Sequence, residues 1–126
     1  MKSPTCPFCS LPKERILVET DIALAFFDGY PISEGHTLVI PKRHAAKLFD
    51  LPDEELRAIW SLVTKMRGTL KERFHPDGFN VGVNEGEAAG QTISHAHVHI
   101  IPRRMGDVAD PKGGIRWVNP AKAKYW

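Results

Sequence analysis

The sequence holds only two cysteines, too few for a disulfide-stapled scaffold. In a reducing setting Cys6 and Cys9 are thiols or metal ligands. No stretch approaches the roughly 18 consecutive apolar residues of a membrane span, and Met1-Lys2-Ser3-Pro4 leads into no apolar signal core, so no membrane association and a cytoplasmic location are expected. Charge of one sign is also scarce. Seventeen basic and 15 acidic side chains leave a net +2, which argues against the concentrated basic field of a nucleic-acid binder. There is no internal repeat and no low-complexity linker. What is present is 126 residues, 42% apolar and 25% charged, the size and balance of one globular domain over 1–126.

The small charge is unevenly placed. Residues 103–126 carry Arg103, Arg104, Lys112, Arg116, Lys122 and Lys124 against Asp107 and Asp110, a tail of +4 on a body of −2. Such a tail suits a phosphate-bearing ligand or is simply a solvated segment.

Periodicity predicts strands at Arg15–Thr20, Ile22–Phe27, His36–Pro41, Phe79–Asn84 and Ala96–Pro102, the second ending at the turn Asp28-Gly29-Tyr30-Pro31. The span from Leu51 to Arg73 predicts a long helix, opened by Pro52 and three acidic residues, with Leu56, Ile59, Trp60, Val63, Met66 and Leu70 as its apolar stripe. Ala45–Asp50 predicts a short helix. The expected fold is α+β: a mostly antiparallel five-stranded sheet with one long and one short helix.

In Gln91-Thr-Ile-Ser-His95-Ala-His97-Val-His99-Ile-Ile-Pro102 three histidines alternate with apolar residues. On a strand, side chains two apart share a face, so the three imidazoles stay together. An idle polar face would normally carry Lys, Glu or Thr. A metal site for all three is restricted by reach, because positions 95 and 99 lie about 13–14 Å apart along a strand while a zinc–nitrogen bond spans about 2.0–2.1 Å. A division of labour is easier: one outer histidine serves a metal and the inner pair serves a reaction. A neutral imidazole with one nitrogen tied to a carbonyl presents the other as a nucleophile, and His97 is the better placed. His99 then supplies a hydrogen bond to an anion, with Asn84, Gln91 and Thr92 approaching from the loop Glu85–Gly90. No carboxylate pair occurs there, so glycosidase chemistry has no support.

These residues resemble the histidine triad family. His95-Ala-His97-Val-His99-Ile-Ile101 fills every place of its signature, and Asp28, Pro31, Gly35-His36, Asn84 and Gly90-Gln91-Thr92 precede it in order. The resemblance implies a nucleotide hydrolase or transferase in which His97 attacks the α-phosphorus of a purine nucleotide or dinucleotide, His99 contacts the phosphate oxygens, and His36 supports the site. It implies that Phe26 and Asp28 meet the base and ribose, and that Asn84, Gln91 and Thr92 hold the phosphates. Bacterial-type members complete a Cys-x-x-Cys knuckle with two histidines. On that pattern Cys6, Cys9, His44 and His95 form a structural zinc site, with residues 1–13 as the knuckle and 103–126 as a C-terminal tail. A homodimer is implied as well. The leaving group expected is that of a dinucleoside polyphosphate such as diadenosine tetraphosphate, whose added charge Arg103 and Arg104 would neutralise; the alternative, which the knuckle favours, is an adenosine phosphoramidate. A non-catalytic nucleotide-binding regulator is the competing class. Gly113–Trp117 is open between a lid and a dimer contact.

Overall fold

The computed structural model describes residues 2–126. Five strands, β1 (Ile16–Glu19), β2 (Ala23–Phe27), β3 (Thr37–Pro41), β4 (Gly78–Gly82) and β5 (Val98–Arg103), form one sheet in the order β1-β2-β3-β5-β4, antiparallel at every step. The helix α1 (Asp53–Phe74) crosses one face. Asp53, Glu54 and Glu55 occupy its first turn, where the unpaired amides favour negative charge. The helix stops at His75, whose left-handed backbone (φ 51°) turns the chain ahead of Pro76.

The helix buries Ile59, Leu62, Val63, Met66 and Leu70. Trp60, expected in the stripe, is 38% exposed, because about 100° per residue carries it off the face that Ile59, Val63 and Met66 define, and Leu62 fills that face instead. Opposite α1 the sheet presents Ala23, Ala25, Val39, Val98 and Ile100. The expected short helix at Ala45–Asp50 is a single 3₁₀ turn, Leu48–Asp50. The Ala45 carbonyl accepts from the Ala96 amide at 2.7 Å and the Ala46 carbonyl from the Gln91 side chain at 2.7 Å, which takes both acceptors away from any helical ladder.

The second face of the sheet carries Leu24, Phe26, Leu38 and Ile40, covered by Phe8, Leu11 and Ile16. This apolar side continues into the histidines through the register, since Leu38 on β3 and Gly82 on β4 both lie opposite His99. The turn into β3 depends on Gly35, held at φ +88°, where a Cβ would stand 2.9 Å from the Phe74 ring. Two residues later Thr37 is fully buried and His36 nearly so.

Candidate functional site

Strand pairing begins at Val98, so His95 and His97 precede the ladder rather than lie within it. The Ala96 amide bonds to Ala45 instead of β3. The rings still run in line: Phe8 packs edge-on against His95 (5.9 Å between centroids) and His97 (5.3 Å), and His97 meets His99 at 5.1 Å.

Backbone groups dictate the protonation of each ring. A carbonyl can only accept, so His97 Nδ1–H donates to the His95 carbonyl at 2.8 Å and the Nε2 lone pair is left free. An amide can only donate, so the Ile32 N–H at 3.2 Å makes His36 Nδ1 an acceptor and places the proton on Nε2. That Nε2–H points at His99 Nδ1, 2.9 Å away, with Asp28 Oδ2 at 3.4 Å. His99 Nδ1 therefore accepts, and its Nε2 carries a proton. The inner pair presents a bare nitrogen on His97 and an N–H on His99. Burial, with His97 and His36 nearby, holds His99 down at about 4, and burial also lowers His36 against the opposing pull of Asp28. Both are neutral near pH 7.

His95 is turned to another task. Its Nε2–H donates to the Pro41 carbonyl at 2.8 Å, freeing Nδ1. Around that atom stand Cys6 Sγ at 3.4 Å, Cys9 Sγ at 3.5 Å and His44 Nδ1 at 3.3 Å, and Cys9 Sγ lies 3.2 Å from His44 Nδ1. Ligands about 2.0–2.3 Å from one tetrahedral ion stand about 3.3–3.7 Å apart, so Cys6, Cys9, His44 and His95 form a possible metal site. Burial pushes the Cys6 thiol up, a cost that a bound cation reverses.

A cleft of about 1010 Å³ opens on the His99 side, with Asp28, His36, Asn84 and Ile101 in its walls. Asp28 divides its carboxylate: Oδ1 accepts from the Tyr30 amide at 2.9 Å as a turn cap, and Oδ2 faces His36. Gln91 is half-buried and its side-chain amide is engaged within the protein. Its Nε2 donates to Ala46 and Ile93 carbonyls and its Oε1 accepts from Gly86, stapling the loop shut. Thr92 is exposed and borders a shallow depression beside Cys6 and His44, away from the cleft. Phe26 is fully buried beneath Phe8, 5.3 Å away. Phe8 itself was not singled out from the sequence. The signal was its place between Cys6 and Cys9, which carries any side chain there to the triad once His95 joins the cysteines.

Comparison with known proteins fits this geometry. The HIT domain model matches residues 12–106. The chain belongs to the HIT family. It is 44% identical over 103 residues to the adenosine 5'-monophosphoramidase hnt1 of Schizosaccharomyces pombe, covering 79% of this chain and 74% of that one. It is 38% identical over 96 residues to the bis(5'-nucleosyl)-tetraphosphatase of the same organism, covering 76% of this chain and 53% of the other. Among solved structures, a zinc-bound histidine triad protein from Mycobacterium smegmatis superposes with a TM-score of 0.74 at 33% identity, covering 93% and 92% of the two chains. HIT relatives named as nucleotide hydrolases thus surround this chain. The HIT match ends at 106, and the tail beyond it adds Gly114, Ile115 and Val118 to the cleft wall.

Proposed function

We propose that this HIT protein hydrolyses nucleoside 5'-phosphate derivatives at the α-phosphorus through a covalent nucleotidyl-histidine intermediate on His97. The observation that carries the reading is the pair of fixed tautomers, a free Nε2 on His97 beside an N–H on His99. The Nε2 lone pair forms a bond to phosphorus while the bond to the leaving group breaks, its electron pair departing with that group. The leaving group takes up a proton. Water then displaces His97, giving its oxygen to phosphorus and a proton to the medium, so one water is consumed overall. The His99 Nε2–H bonds to a non-bridging oxygen as charge grows there. His36 is a positioning residue: it donates to His99 Nδ1 and so keeps the His99 proton on the cleft side.

The nucleoside is assigned to the apolar side of the triad, against Phe8 and Leu11 with Phe26 as floor, and its ribose to Asp28 Oδ2. Asn84 faces the phosphate from the cleft. Gln91 shapes the loop, and Thr92 comes within reach only by a rotation of that loop. Zinc held by Cys6, Cys9, His44 and His95 is structural, because four protein ligands fill a tetrahedron. Thiol ligands agree with a reducing, cytoplasmic setting, and the working unit is a homodimer that covers the open edge of β4.

Both leaving-group classes fit this chemistry, but Arg103 and Arg104 do not line the cleft that a polyphosphate would enter. Arg103 is committed to Asp107 (2.7 and 2.8 Å) and Asn80 (2.6 Å), while Arg104 makes only long contacts with the exposed Glu34, at 3.4 and 3.5 Å. The phosphoramidate reading is therefore preferred. The test is release of adenylate from adenosine 5'-phosphoramidate and from diadenosine tetraphosphate by wild type and His97→Ala. Loss of at least about 10³-fold in kcat is expected for the variant; equal rates overturn the assignment.

A further inference from the structure

The apolar patch assigned to the nucleoside is bordered by a cation that the hydrolytic scheme does not use. Arg15 closes the 3₁₀ turn Lys13–Arg15, its amide bonding back to the Pro12 carbonyl at 3.0 Å, and the next residue, Ile16, pairs with Phe26 across β1 and β2. That register sets the Arg15 guanidinium over the Phe26 ring, 5.3 Å from its centroid, while Phe8 meets the same ring edge-on at 5.3 Å. Phe8, Leu11 and Arg15 thus gather around one fully buried ring.

The guanidinium is held without being neutralised. Nη2 donates to the Phe27 carbonyl at 3.0 Å, which engages one N–H of a group that carries a planar fork of donors. Among the described residues Arg43, Arg57, Arg103 and Arg104 each pair with a carboxylate, whereas Arg15 pairs with none. Asp28 lies close in sequence to Phe27, yet its oxygens are turned to the Tyr30 amide and to His36. Arg15 is exposed, so its remaining donors face solvent. Gly29 is what leaves the guanidinium its place: a Cβ there would already stand 3.5 Å from Nη2, and a longer side chain would compete for the same space.

A second phosphate is one partner for such a group. On this side of the triad, however, that phosphate would be carried by the ribose that Asp28 engages, setting like charges together. The rim of the base is the partner that fits. Guanine offers two acceptors on one edge, O6 and N7, matching two guanidinium N–H groups, whereas adenine sets an N6 amino donor beside N7 and opposes one of them. We infer that Arg15 is a base-specificity residue, which makes this protein prefer guanine and other 6-oxopurine nucleotides to adenine nucleotides. This rests on the placement of the nucleoside against Phe8, Leu11 and Phe26.

Calorimetry of GMP, IMP and AMP with wild type, Arg15→Met and Gly29→Ile tests it. Arg15→Met keeps an unbranched apolar stem over Phe26 and removes every donor. Gly29→Ile leaves Arg15 in the chain but fills the space beside it, at a backbone position outside the left-handed region. Wild type is expected to bind GMP at least about fivefold more tightly than AMP. IMP should match GMP, because it keeps O6 and N7 and lacks only the 2-amino group. Both variants bring the GMP-to-AMP ratio to about one. Equal wild-type affinities, a preference for AMP, IMP behaving as AMP, or a ratio that survives in either variant overturns the inference. So does an equal loss on all three nucleotides in Arg15→Met with a lowered melting temperature, which would make Arg15 only a cap on the Phe27 carbonyl. The kcat/KM values for guanosine and adenosine 5'-phosphoramidate separate this from the hydrolytic reading. If turnover depends on His97 but the two bases are equal, in turnover and in binding, the role of Arg15 falls alone. If nothing is turned over, yet the GMP preference is present in binding and lost in both variants, the hydrolytic reading falls and Arg15 stands. If no nucleotide binds, both fall.

Discussion

His36 acts at one remove. The Ile32 amide makes its Nδ1 an acceptor, so its Nε2–H meets His99 and decides which His99 nitrogen faces the cleft. His36→Ala removes this donor, whereas His36→Gln keeps an N–H at similar reach. A fall of about 10- to 100-fold in kcat is expected for the alanine variant, with partial recovery in glutamine; KM for the nucleotide moves little in either. Equal losses would mean the ring serves only packing. His99 gives a pH-dependent stability of calculable sign. Its folded value of about 4 lies below the ordinary histidine value, so the unfolded chain binds more protons between about 4 and 6.5. Stability is fully present above that window and is lost as pH falls through it. Melting temperatures across pH 4–7 should fall less steeply for His99→Asn than for wild type. Parallel curves would contradict the burial argument, and metal release, common to both proteins, drops out of the difference.

At the scale of elements, the knuckle and the triad are one unit. Cys6 and Cys9 bracket Phe8, and His95 joins the same cluster through Nδ1 while its carbonyl orients His97. If zinc is held there as proposed, removing it disturbs both the hydrogen bond that orients His97 and the apolar wall beside it. Structural zinc in small sites is worth on the order of 10 kcal/mol of apparent free energy, so a strong chelator should lower the melting temperature sharply and reduce adenylate release with it. Full activity in protein shown metal-free by elemental analysis would break this coupling. The loop 85–91 makes a second, smaller prediction: Gln91→Ala opens three hydrogen bonds and should cost about 2 kcal/mol by urea denaturation, against near zero if the side chain were free to bind ligand.

These elements also show what the sequence made legible. Alternation gave the strands, because period two is a property of the backbone itself, and His97 does lie beside His99, although the ladder begins only at Val98 and leaves His95 and His97 ahead of it. The long helix followed from its stripe and its acidic first turn. Cys6, Cys9, His44 and His95 were found by resemblance, and the structure brings all four side chains together. The use of Gln91 and the failure of the Ala45–Asp50 helix were not legible, since both depend on contacts between segments some 45 residues apart. Phe8 was missed because its packing on His95 and His97 joins distant segments, whereas Ile115 lies in the Gly113–Trp117 stretch left open between a lid and a dimer contact.

For the whole molecule, the edge strand β4 carries unpaired backbone groups and Trp60 stands partly exposed on α1, surfaces that a second copy covers in the proposed homodimer. Light scattering at micromolar concentration should give twice the 14.1 kDa of one chain; a single-chain mass contradicts it. No helix is long and apolar enough to cross a membrane among the described residues. The central claim is that this architecture holds His97 as a nucleophile with its Nδ1 pinned to a carbonyl. Acid-quenching a reaction with adenosine 5'-phosphoramidate during the first turnover, followed by peptide mass mapping under conditions that preserve phosphoramidate bonds, tests it most directly. The account predicts one adenylate per active site, attached to His97 and absent from His97→Ala. Adenylate on another residue, or rapid turnover by the His97→Ala variant, would contradict it.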